Sequence, residues 1–350
     1  MNRKIYFLLI CSSLLWFEST NAKEQNVTQK VGDINNSKDV LVINHVSGDF
    51  NLTYMIDSKA NSVVHDSKKE TFTFKIGNAI SKKETEIKFV KIKQGCFTMG
   101  SPINEEHGND NEKPQHQVCI KKDFWLSETE ITQEQWLTIL NKENSDSKFK
   151  TATRPVENIS WDDTKKFIDK LNSVASEIFK RAGETGKFRL PSESEWEYTA
   201  RAGEKEAFFT GKCITINEAH YDAGSGIDIG FTQINPGIIN PNNEVGDCNS
   251  INRKGISPSM TNIVKSFKPN KWGLYDMAGN VWEWVQDCWN ENYQNRSENS
   301  AAMETGDCTQ HVLRGGSWNS LPKNIRSAVR IPAYHDNKDE TMGFRIAKDL

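Results

Sequence analysis

Several large functional classes have no foothold in this sequence. It contains no G-x-x-x-x-G-K-[ST] run and no C-x-x-C pair. A nucleotide-phosphate loop and a zinc knuckle therefore lack their starting motifs. No Ser-His-Asp signature stands out either. The formal net charge is −3 at pH 7 and no long basic run occurs, so no nucleic-acid partner is expected. Beyond Phe17 nothing approaches about 18 consecutive apolar residues, the length a membrane-spanning helix needs. Residues 23–87 have neither Trp nor Cys and are rich in Lys, Asn, Ser and Asp.

What is present begins with a leader. Arg3 and Lys4 precede the apolar run Ile5 to Phe17, and Thr20-Asn21-Ala22 offers small residues ahead of Lys23. This pattern reads as a secretory signal over 1–22 and predicts an exported protein, periplasmic or secreted, with no transmembrane span after cleavage. Cys11 follows Ile10, where a lipidation signal needs a small residue, so a lipid anchor is not expected. Six of the seven cysteines remain in the exported chain, Cys96, Cys119, Cys213, Cys248, Cys288 and Cys308. An even count in an oxidising compartment predicts disulfides. Position along the chain suggests Cys96 with Cys119 across a hairpin. It also suggests Cys213 with Cys248 at the ends of a long loop, and Cys288 with Cys308 around a shorter one.

Residues 23–87 form either a small β-element or a partly disordered linker; 39–46 and 71–76 alternate as strands do. From about residue 88 the texture changes. Residues 87–92 and 117–120 read as strands. Three helix entries carry reciprocal capping signals: Thr132 with Gln135, Ser160 with Asp163, and Ser192 with Glu195. The first helix places Trp136, Ile139 and Leu140 on one face. The second places Phe167, Ile168, Leu171, Val174, Ala175 and Ile178 at helical spacing, and the third is expected to end at Gly203. Residues 204–271 are long, loop-rich and in need of staples or a bound ion. The 10 tryptophans are read as core packing, each needing a partner for its N–H.

Seven segments then occur in a telling order. They are Gly95-Cys-Phe-Thr-Met-Gly-Ser101 with Glu128-Thr-Glu-Ile-Thr-Gln-Glu-Gln-Trp136; Arg154-Pro-Val-Glu-Asn-Ile-Ser-Trp-Asp-Asp163; Phe188-Arg-Leu-Pro-Ser-Glu-Ser-Glu-Trp-Glu-Tyr-Thr-Ala-Arg-Ala-Gly203; Trp272-Gly-Leu-Tyr-Asp-Met-Ala-Gly-Asn-Val-Trp-Glu-Trp284; and Leu313-Arg-Gly-Gly-Ser-Trp318 with Gly343-Phe-Arg345. Together they resemble the sulfatase-modifying-factor, or formylglycine-generating enzyme, domain over about 88–350. The resemblance implies an α+β fold of the C-type-lectin-like kind, loop-rich and held by disulfides.

Enzymes of that family carry two cysteines shortly after the Gly-Gly-Ser-aromatic motif, which bind copper and oxidise a substrate cysteine to formylglycine. Here the stretch 315–330 has no cysteine. Ser320 stands in the place of the first thiol, and the second has no counterpart. A hydroxyl does not replace a thiolate for copper(I), so copper and formylglycine generation are not expected, and no catalytic residue is assigned. Ser317, Trp282 and Ser320 match positions near the family's groove; they either line a cleft or hold the fold. The resemblance also implies calcium at Asp276, Gly279, Val281 and Glu283, with a second family site around Asp222. Hard oxygen donors suit that ion. His220-Tyr221-Asp222 is half of an iron facial triad, but the pattern is short and iron is not expected. Two functions remain: a non-catalytic binding or scaffold module for a protein or peptide partner in the cell envelope, or an oxidoreductase acting on such a substrate.

Overall fold

Period-two alternation of apolar residues builds the central strands of this protein. The structure is a computed structural model that describes residues 5–10, 13–18, 40–47, 50–57, 62–66, 70–77, 84–142, 144, 146–182, 184–223, 246–247, 257–294, 296 and 298–350. Strands β1 (Ile5–Ile10) and β2 (Ser13–Glu18) pair with each other. An antiparallel meander follows: β3 (Val40–Ser47), β4 (Phe50–Asp57), β5 (Ser62–Asp66), β6 (Thr71–Gly77) and β7 (Glu84–Ile92). Next come the hairpin β8 (Gly95–Met99) and β9 (His116–Ile120), then β10 (Phe124–Ser127). Helices α1 (Gln133–Leu140) and α2 (Trp161–Ala182) precede β11 (Phe188–Arg189) and α3 (Glu193–Arg201). The short strands β12 (Cys213–Ile214) and β13 (Gly246–Asp247) run parallel. The chain closes with β14 (Trp282–Trp289), β15 (Asp307–Arg314), β16 (Arg330–Tyr334), β17 (Met342–Phe344) and β18 (Ala347–Asp349).

The large sheet has eight strands in the order β11-β18-β10-β7-β6-β5-β4-β3, and a four-stranded sheet has the order β16-β15-β14-β17. The meander is thus continuous with the sheet that carries β10 and β18. In β6 the alternate residues Phe72, Phe74 and Ile76 are buried, as are Ile87 and Phe89 in β7. They join Phe167, Leu171, Ile178 and Phe179 of α2 in the main core. A second core lies around Trp196, Leu274, Val285 and Val312. The expected mixed architecture, sheet-rich with few helices and long loops, is the one observed.

All three capping predictions hold. Thr132 and Ser192 accept the amide three residues on while Gln135 and Glu195 reach back. Ser160 and Asp163 exchange the same two bonds. Helix α3 runs to Arg201 and is ended by Ala202 and Gly203 in the left-handed region, as expected from Gly203.

Two predicted disulfides are present, Cys96–Cys119 and Cys288–Cys308. In the first pair the cysteines are cross-strand partners in the β8–β9 hairpin. Cys213 is also disulfide-bonded, but its expected partner Cys248 lies outside the described residues.

Buried arginines add to the apolar interior. Arg314, Arg326, Arg330 and Arg345 are among the largest fully buried side chains. Glu193 accepts from Arg330 Nε (2.6 Å) and Arg296 Nη1 (2.7 Å). Arg314 bonds Glu197 through Nη2 and the carbonyls of Ala328 and Val329 through Nη1. Burial opposes ionisation of Glu193, but the guanidinium groups of Arg330, Arg296 and Arg314 prevail and hold its carboxyl well below the usual range. Beside it, burial pushes Asp287 up to about 6 against the pull of Arg296. Every residue of α3 is buried. The long motif of that helix therefore serves as an ionic and aromatic keystone.

Candidate functional site

Three loops come together at one end of the four-stranded sheet. The turn 276–281 enters β14, the loop 315–321 leaves β15, and residues 219–223 lie between them. Gly279 donates to the Gly315 carbonyl (2.9 Å), and Asn280 donates to the His220 carbonyl (2.8 Å). Trp318 donates to the Asn280 carbonyl, and Asp222 to the Ser320 carbonyl, both at 2.9 Å. The structure thus gathers the expected turn residues Asp276, Gly279, Val281 and Glu283, the hydroxyls Ser317 and Ser320, Trp282, and Asp222.

The turn is tightly wound. Asp276, Gly279 and Asn280 all have positive φ, at 56°, 79° and 63°. At Gly279 a Cβ would sit 2.2 Å from the His220 carbonyl oxygen, so only glycine allows that close approach. Glu283 is buried and ion-paired to the buried Arg345, with Nε on Oε2 (2.7 Å) and Nη2 on Oε1 (2.8 Å). Its Oε2 also accepts Trp196 Nε1–H at 2.6 Å. Asp276 accepts the Lys265 amide at 2.9 Å. The protein packed around Asp276 pushes its carboxyl up to about 6.

Sequence reasoning missed Glu130. It sits between β10 and α1, is fully buried, and accepts Asn280 Nδ2–H at 2.8 Å. Burial, with Asp276 and Glu283 nearby, raises its carboxyl well above the usual range. Its segment was readable as a helix entry, and its side chain reaches the turn only through the tertiary fold. Among the described residues no three His, Cys, Asp or Glu side chains form a group fit to hold a metal alone. A calcium ion here would need carbonyl, hydroxyl or water oxygens in addition, which is its ordinary habit.

Ser317 and Ser320 close a small buried turn. Ser320 Oγ accepts the Ser317 amide (3.0 Å), the two Oγ atoms are 3.1 Å apart, and the Ser320 amide donates to the Ser317 carbonyl. Trp282, Ser317 and Ser320 are 8%, 0% and 7% exposed. An open cleft is bounded in part by Leu321, the residue after Ser320. Its volume is about 390 Å³, and it is lined by His107, Gly108, Asn109, Leu321, Lys323 and Asn324. His220 Nε2–H donates to the Met260 carbonyl at 2.9 Å, which commits that nitrogen to a hydrogen bond.

Comparison with known proteins places this geometry. The Sulfatase-modifying factor enzyme 1-like domain (FGE-sulfatase) matches residues 77–350. The serine/threonine-protein kinase pkn1 of Chlamydia pneumoniae is 27% identical over 287 residues, covering 75% of this chain and 38% of that protein. The formylglycine-generating enzyme of Streptomyces coelicolor is 31% identical over 198 residues, covering 56% of this chain and 52% of that one. The chain therefore matches about half or less of each of these relatives. The solved structure of PvdO from Pseudomonas aeruginosa is similar with a TM-score of 0.57 and 27% identity, covering 75% of this chain and 94% of that one. With the family's segments in order and its fold present, the chain belongs to the FGE-sulfatase family.

Proposed function

We propose that this protein is an exported, non-catalytic binding module of the family, with a protein or peptide partner in the cell envelope. The observation that carries the reading is Ser320. A buried hydroxyl, locked to Ser317, stands where the family's enzymes place a thiol. It offers neither a soft ligand for copper(I) nor a sulfur for thiol–disulfide exchange. Cys96, Cys119, Cys213, Cys288 and Cys308 are all disulfide-bonded, so none of them supplies a displaced thiol. The leader 1–22 and these bridges support export.

The cleft bounded by Leu321 and Lys323 then serves recognition. Lys323 gives it a positive charge, and His107, Asn109 and Asn324 add hydrogen-bonding groups. Calcium, when bound, would supply positive charge to the 276–283 turn, with Asp276 and the turn carbonyls as its holders. The turn in turn positions the 315–321 loop through Gly279 and Asn280.

The test is recovery of a defined partner from the envelope fraction by the immobilised full-length chain, beside a Lys323→Glu variant of unchanged circular dichroism. The reading expects a specific partner on the wild type and its loss on the variant. Equal recovery by both, or no specific partner on either, contradicts it.

A further inference from the structure

The two larger sheets have four edge strands, and three of them are guarded. Strand β11 has 2 residues, β17 has 3, and β16 begins at Arg330 and carries Pro332. Short length, charge and proline are devices that keep a sheet edge from pairing with another chain. The fourth edge, β3, has none of them. It runs for 8 residues, Val40-Leu-Val-Ile-Asn-His-Val-Ser47, without proline, lysine, arginine, aspartate or glutamate.

The ladder of β3 with β4 runs without a bulge, from Val40 opposite Asp57 to Ser47 opposite Phe50. Among the described residues no strand lies on the other side of β3. In an antiparallel ladder every second residue turns both its N–H and its C=O toward a given neighbour. Alternate residues of β3 therefore present both groups at the open edge, which is a template for one more strand. The β-branched residues Val40, Val42, Ile43 and Val46 suit such pairing.

We propose that β3 is a homodimer interface, at which two copies of this chain join their large sheets by antiparallel pairing of β3 with β3 about a two-fold axis. A second copy is the occupant because the strand fits itself. Two-fold antiparallel pairing sets two residues opposite each other only when their numbers differ by an even amount, so that both belong to one face of the sheet. With the axis at Ile43, that residue stands opposite its own copy. Val40 then stands opposite Val46, Val42 opposite Asn44, and Leu41 opposite His45. No carboxylate or ammonium group meets its like, an arrangement that would oppose pairing. The alternative axis, at Asn44, sets Asp39 in register with Asp49 of the copy and is disfavoured for that reason. Each chain has one such edge and the contact is isologous, so association closes at two copies. The pairing uses no residue of the cleft and is independent of the binding reading above.

The experiment is sedimentation velocity of the full-length chain from low to high micromolar concentration. Wild type is expected to shift from monomer to dimer as the concentration rises. Val42→Lys and Ile43→Lys each place two like charges at the shared edge and should weaken the dimer by at least about tenfold. These neighbours belong to opposite faces of the sheet, so if one variant does not fold, the other, with wild-type circular dichroism, carries the test. Ile43→Cys should be joined to its own copy by a short bismaleimide, because directly opposite residues bring their Cβ atoms within about 4.5–5.5 Å. A wild type that stays monomeric overturns the proposal. So does a dimer that the folded lysine variants retain, a dimer in which Ile43→Cys does not cross-link, or growth into larger assemblies.

Discussion

The side chains that define this family in the sequence spend most of their chemistry on the interior. Arg314, from the Arg-Gly-Gly-Ser-Trp segment, is fully buried against Glu197 and two carbonyls. Replacing one partner of such a pair leaves the other charge uncompensated. Arg314→Met should therefore cost about 3–5 kcal/mol, read as a lower urea midpoint at an unchanged slope. A second prediction concerns His311. Its ring stacks on Trp161 at 3.8 Å between centroids, and its Nδ1–H donates to the Asp287 carbonyl. Burial pushes its imidazole below the usual histidine value of 6.5. The unfolded chain then binds more protons than the folded one as the pH falls. The contribution is complete above about pH 6.5 and is lost progressively below it. His311→Asn should flatten the decline in stability between about pH 7 and 5 relative to wild type; an unchanged slope would refute this. At this scale the family resemblance named Asp276 and Glu283 as candidates, because they lie in one short motif. Glu130 stayed hidden because its contact with Asn280 spans two distant segments, and no local period or cap encodes it.

Elements were easier to read than contacts. Capping boxes are local, so the entries to α1, α2 and α3 were visible as residue pairs three apart. The complete burial of α3 was not, since Glu193 looks like a solvated acid until Arg330, Arg296 and Arg314 surround it. The alternation in β6 was also visible. Its consequence was not, because whether Phe72 and Phe74 pack on α2 depends on β6 pairing with β7. The hairpin disulfide offers a direct check on the stapling of loops. Cys96–Cys119 closes a loop with a sequence separation of 23. Removing it by Cys96→Ala with Cys119→Ala should lower stability by about 3 kcal/mol, from loop-closure entropy restored to the unfolded chain. Loss of less than about 0.5 kcal/mol would show that the hairpin is held by its strands alone.

As a whole molecule, the protein joins an eight-stranded sheet to a smaller four-stranded one, and the site loops gather where β14 begins and β15 ends. The described part of the N-terminal extension adds strands to the large sheet, while the site is built wholly from later segments. Buried ion pairs and disulfides hold this frame. The central proposal is that this frame, with Ser320 where the family resemblance implies a thiol, does not oxidise cysteine. The most direct measurement incubates the copper-supplied full-length chain with a Cys-x-Pro-x-Arg peptide in oxygenated buffer and follows peptide mass. The account predicts an unchanged thiol peptide; accumulation of the aldehyde product with wild-type protein would contradict it.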